Sequence, residues 1–185
     1  SHDAQYLCEQ THEKLLGHGT EERESATKSY WVNWLETAKP TLLTIPEQYR
    51  AFTKKSLMLI KAHMDNRGSV LASADSSILN YGRDYYCYSW PRDAAFALWP
   101  LIRLGYTAEA KKYFIFCRDV ITKGGYLMHK YLPDRSVGST WHASVQYGKK
   151  ELAIQEDETA IIILMLSEYL KASNDVSFVA PLYQD

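Results

Sequence analysis

The stretch YYCYSWPRDAAFALWPL (85–101) sets an arginine beside an aspartate, Arg92-Asp93, among Tyr85, Tyr86, Tyr88, Trp90 and Trp99. A guanidinium offers planar donors, a carboxylate offers acceptors, and aromatic rings offer flat apolar surface. A neutral sugar asks for this combination, because its hydroxyls need both kinds of partner and its C–H faces need a flat support. The competing reading is local. Asp93 precedes Ala94-Ala95-Phe96-Ala97-Leu98 and fits a helix N-cap, worth about 0.5–2 kcal/mol, with Arg92 an ordinary solvated charge. Position alone does not separate the two, but capping leaves the crowd of rings unexplained.

A second constellation is IQEDETAIII (154–163). Gln155 and Asp157 read as polar groups at the same end of a helical layer as Arg92-Asp93, with Glu156 turned elsewhere. The alternative is again a helix start, where Asp157 or Glu158 favours the first turn. Trp141, in GSTWHAS (138–144), is either a stacking platform or a loop anchor. His129 and His142 read as structural or surface groups, and Tyr126 and Tyr131 as packing residues. The three cysteines, Cys8, Cys87 and Cys117, form no disulfide framework. No His/Cys/carboxylate spacing resembles a metal set, so no metal or cofactor is expected. A magnesium site in QEDE (155–158), as in isoprenoid-type helical enzymes, has only the neighbouring apolar helix behind it.

These residues need elements to hold them. Tyr30, Trp31, Trp34 and Leu35 share one helical face, which Lys39-Pro40 should close. Pro46 fits a helix start, and Tyr49, Phe52, Leu57, Ile60 and Met64 recur at helical period over 47–64. Further helices are expected over 94–104, with Gly105 beyond its end, over 108–121, capped by Thr107, and over 157–170, with another begun by 177–183. The run over 160–166 is apolar all round, as in a helix covered on most sides. No alternation is long enough for a sheet core, so the fold class is all-α, its helix pairs joined by long loops on one side. The net charge of −1 gives no case for nucleic acid or an anionic membrane surface. The longest aliphatic run is too short to cross a bilayer. No leader is visible and the chain opens Ser1-His2, which leaves the compartment open, with the cytoplasm as the default expectation.

YSWPRDAAFALWPLIRLGY (88–106), GGYLMHKYLPDRSVGSTWH (124–142) and ELAIQEDETAIIILML (151–166), preceded by SLMLIKAHMDNRGSVLASADSS (56–77), together resemble glycoside hydrolase family 15. That family holds glucoamylases and their bacterial and archaeal relatives, including glucodextranases and some trehalases. The resemblance covers about residues 52–171. It implies a truncated (α/α)6 barrel of the six-hairpin toroid type, with residues 1–45 as a helical lead-in and 46–185 as the first part of the barrel. It implies an inverting, exo-acting release of β-glucose from non-reducing ends of α-glucans. Trp90, Arg92 and Asp93 would hold the terminal sugar, Tyr86 would lie under it, Gln155 and Asp157 would open the helix near the pocket, and Trp141 would line the cleft. Inversion needs two carboxyls about 6.5–9.5 Å apart. The family's acid and base glutamates match no segment here, so no catalytic residue is assigned and the chain reads as a substrate-gripping part. The expected partner is an oligo- or polysaccharide or a disaccharide. A trehalase-type hydrolase and a non-catalytic carbohydrate-binding module are the alternatives. A cut barrel would also expose an apolar flank and self-associate.

Overall fold

A computed structural model describes residues 2–17, 19–74, 86–138, 145–146, 148–150 and 154–182. The chain forms two compact units, residues 1–39 and 40–185. The first holds α1 (His2–Leu16) and α2 (Thr20–Glu36). Exposed side chains four residues apart bond along α1, Gln5 Nε2 donating to Glu9 and Gln10 Nε2 to the Tyr6 hydroxyl, as helical spacing allows. On α2, Tyr30, Trp31 and Trp34 meet edge to face, with ring centroids 5.1 and 5.9 Å apart.

The second unit runs on through α3 (Lys39–Thr44), which begins at the boundary. Lys39-Pro40 does not close the preceding helix. Pro40 sits in the first turn of α3, where its missing N–H costs nothing. Pro46 precedes α4 (Glu47–Ala62) as expected. Arg50 folds back to donate from Nε to the Ile45 carbonyl and from Nη2 to the Leu43 carbonyl, so acceptors left bare around the α3 end find partners.

The chain then enters extended segments that join without forming a sheet core. Ala72 and Ser73 donate to the Tyr88 and Tyr86 carbonyls, and Ser89 and Tyr131 exchange N–H bonds of 2.8 and 2.9 Å. These links fix residues 86–90 and 127–131 against the start of α5 (Pro91–Arg103). Trp90, in extended conformation, is the N-cap residue and Pro91 follows at the first helical position. The helix therefore starts earlier than its apolar run suggests, and Asp93 lies inside its first turn rather than at the cap.

Gly105, at φ +92°, closes α5 as expected. Then α6 (Thr107–Val120) follows. Its N-cap is Tyr106, without a side-chain cap bond, so Thr107 is helical rather than capping. The last elements are α7 (Glu156–Ser173) and α8 (Val176–Leu182), with Asn174 left-handed between them at φ +54°. Asp175 secures that corner, accepting from Lys111 Nζ, the Tyr169 hydroxyl and Ser177 Oγ. Two-residue strands β1 (Val145–Gln146) and β2 (Lys149–Lys150) pair antiparallel.

The architecture is all-α. Helix α5 packs most extensively on α7, and α6 packs on both. The core comprises Ala95, Leu98 and Leu101 of α5, Tyr113, Phe114 and Phe116 of α6, Tyr131, and Met165 and Tyr169 of α7. Its rings interlock, Tyr113 stacked on Phe116 and Phe114 edge-on to Tyr169. Helix α7 is covered on one side only, since Ile163 and Leu164 stay 63% and 51% exposed. Among the described residues no helix is long and apolar enough to cross a membrane.

Candidate functional site

The first turns of α5 and α7 come together, and Arg92 is the side chain that ties them. Its Nη2 donates to Gln155 Oε1 and, at 2.9 Å, to Asp157 Oδ1. Its Nε lies 2.7 Å from Asp157 Oδ2. Nη2 therefore makes the hydrogen bonds, while Nε is close to the carboxylate without being aligned for one. A cation at the positive ends of two helices is unfavourable by itself. Asp93 in the first turn of α5, and Glu156 and Asp157 in that of α7, offset it.

The rings stand just before this fork in the sequence. Trp90 is 6% exposed and Tyr86 49% exposed. Their centroids are 5.8 Å apart with the planes tilted by 37°. Tyr88 meets Trp90 edge-on at 5.6 Å. Trp90 is thus a support, and Tyr86 is the more exposed ring of the pair. Lys130, 1% exposed, places its ammonium 4.3 Å from the Tyr88 centroid and 5.3 Å from that of Trp90, a desolvated cation–π arrangement. Gly138 closes the back of the stack. A Cβ there would meet the Lys130 stem and the Tyr88 ring at 2.8 Å.

The side-by-side reading of Arg92 and Asp93 changes here. Successive helix positions point roughly 100° apart, so the two side chains turn to different sides. Arg92 takes Gln155 and Asp157. Asp93 lines a groove of about 300 Å³ with Leu59, Ile60, His63, Val70 and Ala97. Trp99 does not join the collar, since its partner is Arg103, at 5.4 Å. Trp141 and Tyr85 lie outside the described residues.

Two groups escape the sequence reading. Lys130 is one, because nothing in HKY separates a buried lysine from a solvated one. Glu158 is the other. It is wholly buried and neither carboxyl oxygen has a hydrogen-bond partner. Burial pushes its carboxyl up to about 8 against the pull of Arg92, with Asp157 and Asp93 adding to the rise. Among the described residues no group of three or more His, Cys, Asp or Glu is placed to hold a metal ion.

The chain is similar to a trehalase of Mycobacterium tuberculosis (strain ATCC 25618 / H37Rv), 31% identical over 100 residues, which is 51% of this chain and 14% of that protein. A trehalase of Mycolicibacterium smegmatis (strain ATCC 700084 / mc(2)155) matches at the same identity and coverage. The match therefore spans about one seventh of these relatives' length. No family model matches the chain, and no solved structure gives a significant match.

Proposed function

We propose that this chain is the sugar-gripping part of a glycoside hydrolase of the family 15 kind, acting on a glucose disaccharide of the trehalose type. The observation that carries the reading is the guanidinium of Arg92, held by Gln155 and Asp157 at the start of α5, with the Tyr86–Trp90 ring pair just before it in the chain. With Nε and Nη2 turned to Asp157, the Nη1 edge is directed away from it and can donate to sugar hydroxyls. Asp93 offers acceptors from the neighbouring groove. Tyr86 supplies a face for the pyranose, backed by Trp90 and Lys130, and Trp141 is a further stacking ring in this reading. The similarity to trehalases supports a disaccharide, so the substrate moves from the α-glucan chain suggested by the motifs to trehalose.

The chemistry follows from the grip. Holding the sugar fixes its anomeric carbon relative to the acid and base, and such orientation lowers the barrier without any covalent step from these residues. The acid and base glutamates are assigned to neither Glu156 nor Glu158, because one is an exposed first-turn residue and the other has no surface.

The test is glucose release from trehalose and from maltose by the polypeptide that carries this segment. Trehalose is expected to be the better substrate. Arg92→Ala is expected to lower kcat/KM by about 10²-fold or more, equivalent to roughly 3 kcal/mol of transition-state stabilisation. Unchanged kcat/KM in that variant removes the role given to Arg92. Turnover of maltose alone restores the glucan reading, and sugar binding without turnover marks a non-catalytic module.

A further inference from the structure

We propose that Glu158 is a positioning residue for Arg92: its carboxyl decides whether the guanidinium stays on Gln155 and Asp157 or turns inward. Glu158 follows Asp157 directly in the first turn of α7, yet the two carboxyls live in opposite surroundings. Asp157 is 58% exposed and already paired. Glu158 has no exposed surface and neither oxygen is hydrogen-bonded. A buried carboxylate without a partner is strongly unfavourable, so with Arg92 on the surface fork Glu158 keeps its proton.

The groups that face it narrow the response. From α5 come Arg92 and Asp93, and on α7 itself Asp157. From α6 comes Tyr113, with Cys117 beside it, and from 127–131, which Leu127 pins to Thr159, comes Tyr131; His129 and Lys130 are buried in the same segment, Lys130 with its ammonium on the Tyr88 and Trp90 rings. Tyr113, Cys117 and Tyr131 are all raised by burial, the last two to about 12, and stay neutral where Glu158 ionises. Among the described residues, Arg92 is a cation whose charge acts on Glu158. Its own hold on Asp157 is a partly exposed ion pair, which is weak. Arg92 Nε is moreover buried and not aligned for a hydrogen bond, despite its closeness to Asp157. Once Glu158 loses its proton, pairing with Arg92 relieves the buried charge, and the surface fork opens.

The movement of Arg92 is independent of what the site binds. Its consequence, loss of sugar affinity at alkaline pH, rests on the reading above. The experiment follows the Glu158 carboxyl ¹³C and the Arg92 Nε–H resonances of this chain from about pH 5 to about pH 9.5, with trehalose affinity measured in parallel on the polypeptide that carries it. Both resonances are expected to move together with a midpoint of about 8, and the Arg92 movement is expected to vanish in Glu158→Gln. Titration of Glu158 with ordinary carboxylates, or an Arg92 movement that persists in Glu158→Gln, overturns the proposal. Should Glu158→Gln not fold, the two midpoints in the parent protein decide, since separate midpoints refute the coupling. Trehalose affinity is expected to fall several-fold above the midpoint in the parent and to stay level in the variant. Coupled titration without trehalose binding at any pH keeps the role of Glu158 and removes the sugar reading alone.

Discussion

Arg92, Asp157 and Glu158 show how differently neighbouring charges are treated. The Arg92–Asp157 pair is partly open to water, so it adds little stability, and its value is geometric. Glu158 is the reverse, a buried group whose protonation feeds directly into folding. Its carboxyl is raised from 4.5 to about 8, so the folded chain keeps a proton that the unfolded chain has lost. Stability is therefore full below about pH 4.5 and falls as pH rises towards 8, by at most about 1.4 kcal/mol per pH unit. Above about 8 both states are ionised and the decline levels off. Glu158→Met, similar in volume and without charge, is expected to flatten this slope. It is also expected to raise stability at pH 8 by roughly 1–4 kcal/mol. Urea unfolding of both proteins across the pH range measures it, and a parent curve as flat as the variant's counts against the buried-acid account.

Among the elements, the site depends on how three extended segments and two helix starts are locked together. The turn after α4 is set by Gly68, at φ +98°. There Asp65 accepts from the Arg67 and Ser69 N–H groups. A Cβ on Gly68 would lie 2.2 Å from the Lys112 carbonyl oxygen of α6, and a helix backbone does not yield. Gly68→Ala combines that clash with a left-handed backbone, and is expected to cost more than about 2 kcal/mol. Denaturant midpoints check it, and a loss under about 0.5 kcal/mol would mean that the turn is not held against α6. The corner between α7 and α8 relies on Asp175 in the same way. Lys111 holds its carboxyl well below the ordinary range, so this anchor is present at neutral pH and is lost only as acid protonates it.

At the scale of the whole molecule, the second unit buries one side of α7 and leaves Ile163 and Leu164 open, with Phe96 of α5 also 56% exposed. An apolar cavity of about 420 Å³ lies between α6 and α7, lined by Phe114, Ile121, Leu127, Ile162, Leu166 and Leu182 among others. Apolar surface of this kind favours association. The isolated chain is expected to sediment as a concentration-dependent mixture, and Ile163→Lys with Leu164→Glu to shift it towards monomer. A parent that stays monomeric at high concentration would show that the exposed α7 flank does not drive contacts.

Helical period, prolines and glycines sufficed to read the all-α class and the helices from α4 onward, because they act within one or two turns: Pro46 before α4 and Gly105 after α5. Gln155 and Asp157 were legible as companions of Arg92, since polar residues opening two apolar helices gather at one end of a layer. Other features were invisible in the sequence. Met64 with Val70, Ser89 with Tyr131 and Tyr131 with Val137 pair through isolated bridges, and Ala72 and Ser73 donate to the Tyr88 and Tyr86 carbonyls, none of which needs an alternating pattern. Asp93 leaves Arg92 for another groove because helix starts, not adjacency, set direction, and Pro91 moved the start. Glu156, Asp157 and Glu158 look alike in QEDE, yet one helical turn sends them to solvent, to Arg92 and to the core. Only the packing of α5, α6 and 127–131 against α7 decides which carboxyl loses its water, because burial is a property of the neighbours and not of the residue.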